Sequence, residues 1–268
     1  MRKEETMKIA VCQLEIIYEE KEKNLIQSQK YVQEAAQNHA DIIFFPEMSF
    51  TGFSMNTKLT GETDENPESL LKVKQYAIEN QIGIGFGWVK NKINSENHYT
   101  IVDQCGNILC DYIKIHPFSY SGEDRYFLPG NEIKICSFEG MKFGISICYD
   151  LRFPELYSKM SEKADMIIVP ANWPEKRKVH WQTILRARAI ENQVYMVGIN
   201  CVGIQNGLKY SGNSSVINPN GDILFEINDT HGMRIAEIPN DISGYRDEFP
   251  VKKDRRNNLY RDFYLGSQ

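Results

Sequence analysis

The sequence predicts an α/β protein with mixed sheets, and three observations support this prediction. Apolar, strand-like runs alternate with helical stretches through most of the 268 residues. The strand-like runs outnumber the helices, and the turn Cys105-Gly106-Asn107 joins two of them as a hairpin. No low-complexity linker or internal repeat divides the chain. We therefore expect a single domain over residues 1–268, with an N-terminal extension at residues 1–6 and a C-terminal tail at about residues 250–268.

The first half of the chain contains strands and helices that can be placed by their periodicity. Pro67 favours a helix start, since proline lacks the N–H that a first helical turn leaves unpaired. The turn-rich stretch 117–131 has no periodicity, and loops of this length inside compact domains are often functional. The expected strands are 8–14, 41–45, 82–89, 99–103 and 108–115, and the expected helices are 19–38 and 67–80.

The second half repeats this alternation. A helix is expected from Pro154, and another over 175–192, where Trp181, Ile184, Leu185 and Ala189 fall on one face. The segment Asn218-Pro219-Asn220-Gly221 predicts a turn between two strands. The expected strands are 141–147, 165–169 ending at Pro170, 194–200, 214–218, 223–225 and 233–238.

Composition and charge exclude several functions. The net charge is −5 and the basic residues are dispersed, which argues against nucleic-acid binding. No apolar run approaches the roughly 18 residues of a membrane span, and the charged start of the chain is unlike a secretory signal. Six cysteines without a C-x-x-C pair and five histidines without a ligand cluster indicate a reducing compartment and no metal site. We expect a cytoplasmic protein.

Three reactive side chains stand where a predicted strand ends and a turn begins. They are Glu47 after Phe44-Phe45-Pro46, Lys114 before His116-Pro117, and Cys148 after Ile145-Ser146-Ile147. Taken singly, each residue type is more often structural or solvent-exposed at such a position. Together they supply what catalysis needs at rigid backbone positions, and we expect the three strand ends to belong to one sheet.

Amide cleavage needs a nucleophile, a base and a group that stabilises the oxyanion. Free cysteine is mostly protonated at neutral pH, so a carboxylate such as Glu47 can accept the thiol proton and later return it to the leaving amine. An ammonium such as that of Lys114 can stabilise the tetrahedral oxyanion. A Cys/His pair with His116 or His180 as base is the alternative, and sequence spacing leaves it open.

Several segments carry a resemblance to the nitrilase (carbon–nitrogen hydrolase) superfamily. It runs from about Lys8 to Tyr260, and the catalytic signatures occur in the family's order. The matching segments are Phe45-Pro46-Glu47 followed by Thr51-Gly52-Phe53, Tyr112-Ile113-Lys114-Ile115-His116, Ile147-Cys148-Tyr149-Asp150-Leu151-Arg152-Phe153-Pro154-Glu155, Leu185-Arg186-Ala187-Arg188-Ala189-Ile190-Glu191-Asn192-Gln193 and Asn218-Pro219-Asn220-Gly221.

This resemblance implies a four-layer αββα sandwich and a Glu-Lys-Cys triad, here Glu47, Lys114 and Cys148. It also implies that the backbone N–H of Tyr149 helps to hold the oxyanion. The second active-site glutamate that many members carry corresponds to Glu123, although Asp124 is adjacent. His116 is then structural, no cofactor or metal is needed, and the protein is expected to form a homodimer through its helices, with the C-terminal tail crossing to the partner.

The substrate is expected to be a small linear amide. The segment from Cys148 to Glu155, with Asn172-Trp173-Pro174, resembles amidases, including omega-amidases that act on 2-oxoglutaramate or 2-oxosuccinamate. The carboxylate of such a substrate needs a cation, and Arg152 is the first candidate and Arg177 the second.

Structural roles remain open for several of these residues. Arg152 could form a structural ion pair instead, and Phe118, Tyr149 and Trp173 could either wall the pocket or pack in the core. Other functions also stay open: hydrolysis of an N-carbamoyl compound, aliphatic amide or nitrile, acyl transfer to an amine, and binding without turnover.

Overall fold

A computed structural model describes residues 6–91 and 94–266. Of the predicted extension, residues 1–5 lie outside the described residues, whereas Thr6 already belongs to the first strand. The strands are β1 (Thr6–Gln13), β2 (Ile42–Phe44), β3 (Gly83–Asn91), β4 (Ser95–Val102), β5 (Ile108–Ile113), β6 (Ile135–Phe138), β7 (Met141–Ile145), β8 (Met166–Ala171), β9 (Tyr195–Asn200), β10 (Val202–Gln205), β11 (Leu208–Ile217), β12 (Ile223–Asn228) and β13 (Gly232–Pro239). The helices are α1 (Lys21–Gln37), α2 (Thr57–Thr60), α3 (Glu68–Asn80), α4 (Pro154–Met160), α5 (Lys178–Asn192), α6 (Ser243–Glu248) and α7 (Asn257–Leu265).

The strands form two mixed sheets. The first has six strands in the order β13-β1-β2-β3-β4-β5, in which β1, β2 and β3 are parallel neighbours. The second has seven, in the order β10-β11-β9-β8-β7-β6 with β12 paired to β11, and β7, β8 and β9 are parallel. The predicted α/β class with mixed sheets is confirmed.

The two sheets pack face to face between helical layers. Phe44 of β2 meets Phe143 of β7 edge to face, with ring centroids 6.0 Å apart. Buried residues of α1 and α3 cover the other face of the first sheet, and those of α4 and α5 cover the second. A Cβ on Gly198 of β9 would lie 2.5 Å from Leu185 Cδ1, so glycine lets α5 approach the sheet closely. The arrangement is the predicted αββα sandwich.

One predicted strand end was wrong, and two strands were missed. Strand β8 does not end at Pro170 but continues to Ala171, with Pro170 opposite Ile199 of β9. The ladder between β7 and β8 pairs Phe143–Ile145 with Met166–Ile168, so β8 extends past β7 and Pro170 removes no hydrogen bond from that side. Strands β6 and β10 were not predicted at all.

The helix predicted over 175–192 begins with a 3-10 turn at Glu175–Arg177, and its α-helical part is α5. Within 6–91 and 94–266, no helix is long and apolar enough to cross a membrane.

Candidate active site

The three predicted strand-end residues converge, but they come from both sheets. Glu47 follows β2 and Lys114 follows β5, both of the first sheet, whereas Cys148 follows β7 of the second. The expectation that all three lie on one sheet was therefore wrong. The face-to-face packing of the two sheets brings the ends of β2, β5 and β7 together, so the site lies between the layers.

Lys114 lies between two buried carboxylates. Its Nζ donates to Glu47 Oε1 at 2.9 Å and to Glu123 Oε1 and Oε2 at 3.0 and 2.8 Å. None of the three side chains is more than 1% exposed. Burial alone would lower the pKa of Lys114, but Glu123 and Glu47 outweigh that effect and raise it, so the ammonium stays charged.

Glu123, rather than its neighbour Asp124, enters this cluster. It begins a 3-10 turn directly after Gly122, and its Oε2 also accepts the backbone N–H of Phe118 at 2.5 Å. Asp124 is exposed. Burial raises the pKa of Glu123 and the charge of Glu47 raises it further, while Lys114 opposes the shift.

Cys148 occupies a strained backbone position. Its φ is +47°, in the left-handed region that residues other than glycine rarely adopt. The side chain is 9% exposed and lines a pocket, and the 3-10 helix Cys148–Arg152 begins at this residue. The turn therefore presents the thiol to the pocket while the strand before it and the helix after it hold the backbone.

The thiol of Cys148 is held in its neutral form. Burial raises its pKa, Glu47 raises it further, and Lys114 only partly opposes these effects. A thiol paired with a protonated histidine would show the opposite shift. The two histidines considered as alternative bases contact other residues. His116 Nδ1 lies 2.7 Å from Asp150, and His180 Nδ1 lies 3.1 Å from Arg152.

Two asparagines connect these side chains, and the sequence prediction assigned neither a role. Asn172 donates its backbone N–H to Glu47 Oε2 at 2.9 Å and its Nδ2 to the Glu47 carbonyl at 2.6 Å. Its own carbonyl lies 4.0 Å from Cys148 Sγ. Asn97 donates from Nδ2 to both Glu47 and Glu123. The only sequence signal for Asn97 is an amide within the β4 run, which also contains other polar residues.

A pocket of about 120 Å³ opens above Cys148. The aromatic residues expected as walls line it, and so do the two expected arginines. Other lining residues were not singled out from the sequence. The predicted lining residues are Phe118, Tyr149, Arg152, Trp173 and Arg177, and the additional ones include Phe53, Lys176, Leu208 and Tyr210.

The guanidinium groups of the two pocket arginines lie over aromatic rings. The Arg152 guanidinium lies 4.8 Å from the Trp173 ring centroid, and that of Arg177 lies 5.2 Å from the Phe118 centroid. Burial lowers the pKa of Arg152, and the charge of Arg177 contributes to the shift. Among the described residues, Arg152 forms no ion pair with a carboxylate. The alternative prediction, that Arg152 forms a structural ion pair, is therefore not supported. The pocket thus combines a thiol, aromatic walls and unneutralised positive charge.

Among residues 6–91 and 94–266, no cluster of three or more His, Cys, Asp or Glu residues that could hold a metal ion is found.

Comparison with known proteins identifies the class. Residues 8–247 match the family described as carbon-nitrogen hydrolase. The chain belongs to this family, and the predicted amidase class of enzyme is confirmed by its named relatives.

Among those relatives, a 2-oxoglutaramate amidase of Bacillus subtilis is 33% identical, over 94% of this chain and 98% of the relative. Omega-amidase YafV of Yersinia enterocolitica is 32% identical, over 93% and 96%. A CN-hydrolase superfamily protein from Xanthomonas campestris, with an arsenic adduct in its active site, superposes with a TM-score of 0.88 at 25% identity, over 94% of this chain and 97% of that one.

Proposed function

We propose that this protein hydrolyses the terminal amide of a short 2-oxo acid, such as 2-oxoglutaramate or 2-oxosuccinamate, through a thioester at Cys148. The observation that carries the proposal is the pocket itself, which has a neutral thiol beside a buried Glu47–Lys114–Glu123 cluster and two arginines among its lining residues. The names of the relatives from Bacillus subtilis and Yersinia enterocolitica support the same substrate class.

The first half of the reaction forms the thioester. Cys148 Sγ attacks the amide carbon while Glu47 accepts the thiol proton, which suits a thiol whose pKa is raised. Lys114 Nζ and the backbone N–H of Tyr149 stabilise the oxyanion of the tetrahedral intermediate. Glu47 then returns the proton to the leaving nitrogen, and ammonia departs.

The second half releases the acid. Water attacks the thioester carbon as Glu47 accepts one of its protons, and the same oxyanion groups stabilise the second tetrahedral intermediate. Collapse breaks the C–S bond, the carboxylic acid leaves, and Cys148 regains its proton. Glu123 touches Lys114 through both of its oxygens, so its role is to position the ammonium and to hold it charged.

Arg152 binds the far carboxylate of the substrate, and Arg177 assists it. Both are pocket-lining cations, and each guanidinium lies over an aromatic ring, that of Arg152 over Trp173 and that of Arg177 over Phe118. A planar guanidinium can bind a carboxylate through two parallel hydrogen bonds. Phe118, Tyr149 and Trp173 enclose the short chain of the substrate between its two polar ends.

The test is ammonia release across a panel of amides. The panel contains 2-oxoglutaramate, 2-oxosuccinamate, glutamine, asparagine, neutral aliphatic amides, N-carbamoyl compounds and nitriles. The 2-oxo acid amides should give the highest kcat/KM. A preference for N-carbamoyl compounds or nitriles, or no turnover of any member, would refute the proposal.

A single substitution separates the carboxylate contact from the chemistry. Arg152→Leu should raise KM for carboxylate-bearing amides about 10- to 100-fold, since a hydrogen-bonded charge pair is lost, and should spare neutral amides. The matched control is Arg186→Leu, which removes an exposed arginine of α5 and should change neither. Equal effects of Arg152→Leu on both substrate types would contradict the assignment.

We also propose that the protein works as a homodimer in the cytoplasm. Helix α7 presents a row of apolar side chains to solvent, and its exposed residues Leu259, Tyr260, Phe263, Tyr264 and Leu265 are 49–75% accessible. Contiguous exposed apolar patches on soluble proteins mark interaction sites, including contacts between subunits. Light scattering on the full chain should give twice the 31.0 kDa mass, and Leu259→Asp should lower it, whereas Asn258→Asp should not.

A further inference from the structure

A buried amide joins the two carboxylates of the active site. Asn97 Nδ2 donates to Glu47 Oε1 at 2.9 Å and to Glu123 Oε1 at 3.1 Å. Lys114 Nζ contacts the same two oxygens, at 2.9 and 3.0 Å. One amide nitrogen and one ammonium nitrogen therefore alternate with two carboxylate oxygens in a closed ring of contacts.

The backbone of Asn97 also belongs to this arrangement. Its carbonyl accepts the N–H of Lys114 at 2.9 Å, directly after the ladder between β4 and β5. On its other side, Asn97 pairs with Val89 of β3. The amide is thus fixed by two neighbouring strands, and the same residue sets the position of the lysine backbone.

The second polar atom of the Asn97 side chain differs from the first, because it has no partner among the described residues. Asn97 is 1% exposed, and within the described residues its buried Oδ1 has no hydrogen-bond partner. An unpaired buried acceptor costs free energy, and a leucine of similar size would avoid that cost. What leucine lacks is the pair of N–H donors that the two carboxylates use.

The electrostatics of the cluster explain why donors are needed. Two carboxylates that share a buried site repel each other, and one of them tends to take up a proton. Lys114 supplies one positive charge against two negative ones. Hydrogen bonds from a neutral amide favour the ionised form of both carboxylates without adding a charge. They also keep both Oε1 atoms turned toward Lys114.

We infer that Asn97 is a positioning residue, which holds Glu47 and Glu123 together and ionised around Lys114 so that Glu47 can accept the proton of Cys148. This inference rests on the proposed function, because it assigns Asn97 a role in the reaction described there. Asn97 acts through the carboxylates and lysine and is not itself a catalytic residue.

The experiment compares two variants with a control from the same strand. Asn97→Asp keeps the shape but replaces the donors by a third carboxylate, and Asn97→Leu removes polarity altogether. Thr100→Val is the control, because Thr100 is 1% exposed on β4 but binds Trp88 and Asp111 outside the active-site cluster. Each protein is assayed for kcat, KM, the pH profile of kcat/KM and thermal stability.

Both Asn97 variants should lower kcat about 10- to 100-fold, the range expected for hydrogen bonds to charged groups, while KM changes little. Loss of the donors removes hydrogen bonds to the charged carboxylates, so the acidic limb of kcat/KM should move to higher pH. An unshifted limb, with activity lost only in proportion to stability as in Thr100→Val, would overturn the inference. A higher KM with unchanged kcat would overturn it too.

A second measurement needs no substrate. The rate at which iodoacetamide alkylates Cys148 reports how readily the thiol loses its proton. The pH dependence of this alkylation rate should be shifted in Asn97→Leu, whereas wild type and Thr100→Val should share one profile. If no amide in the panel is hydrolysed but this shift is found, the proposed substrate is wrong and the positioning role stands. If amides are hydrolysed and the shift is absent, the positioning role is wrong.

Discussion

Asp150 and His116 are joined by two contacts to one oxygen. Asp150 Oδ1 accepts the backbone N–H of His116 at 2.9 Å and lies 2.7 Å from the ring Nδ1. The other oxygen, Oδ2, accepts the Tyr112 hydroxyl at 2.7 Å and the Ile147 backbone N–H at 2.9 Å. Asp150 therefore ties the segment around Lys114 to the turn that carries Cys148.

Replacing Asp150 with asparagine should damage both stability and activity. In this variant an NH₂ group takes the place of one carboxylate oxygen and points at the N–H or O–H donors from which that oxygen accepted. The site is fully buried, so water cannot relieve the mismatch. We expect a loss of about 3 kcal/mol in the free energy of unfolding, measured by urea denaturation, with reduced kcat. Asp124→Asn is the matched control, because Asp124 is an exposed acid of a nearby turn. Wild-type stability of Asp150→Asn would show that this carboxylate does not join the two segments.

Replacing Cys148 with alanine should abolish ammonia release on every amide, because the proposed thioester cannot form. Mass spectrometry after substrate exposure should detect an acyl adduct on the wild-type peptide containing Cys148. The control is Cys105→Ser, which alters an exposed thiol and should leave turnover unchanged. Residual turnover in Cys148→Ala at the wild-type rate would exclude the proposed nucleophile.

Replacing Lys114 with methionine should change how stability depends on pH. The pKa of Glu123 is already raised by burial, and Lys114 is what opposes that rise. Without Lys114, Glu123 takes up a proton more readily in the folded state than in the unfolded state. The stability of the variant should therefore increase as pH falls from 8 to 5.5. At neutral pH the loss should be about 3–5 kcal/mol. Melting curves at several pH values test this, and a wild-type pH profile would contradict it.

Lys252 offers a second pH-dependent test, far from the site. Burial, together with Arg246 and Arg255, lowers the pKa of Lys252 to about 7. Between about pH 7 and the unfolded value near 10.5 the unfolded state binds more protons, so this group makes stability rise with pH in that window. Lys252→Met should therefore raise the melting temperature at pH 6, and this increase should be about 2–4 °C larger than the increase at pH 10. Lys253→Met, at an exposed position, should not.

The sequence predicted the parts of the site that depend on local pattern. Glu47, Lys114 and Cys148 each follow an apolar run, and such runs identify strand ends without knowledge of the tertiary structure. The buried face of α5, with Trp181, Leu185 and Ala189, follows from helical periodicity in the same way.

The parts that depend on packing between layers were missed. The position of Cys148 on a different sheet from Glu47 depends on which strands pair, and local periodicity does not encode strand pairing. Asn97 lies among other polar residues of β4, so its contacts with Glu47 and Glu123 appear only when the strands are assembled. Strand β6, Ile135–Phe138, is too short to show a clear period.

The left-handed backbone at Cys148 has a consequence for heat resistance. A side chain at φ +47° is strained by about 1 kcal/mol or more, and glycine is free of that strain. Cys148→Gly should therefore give an inactive enzyme that melts above Cys148→Ala, so thermal stability alone would favour glycine over the proposed nucleophile at this position. The proposed nucleophile therefore occupies a position where any side chain lowers the thermal stability of the fold.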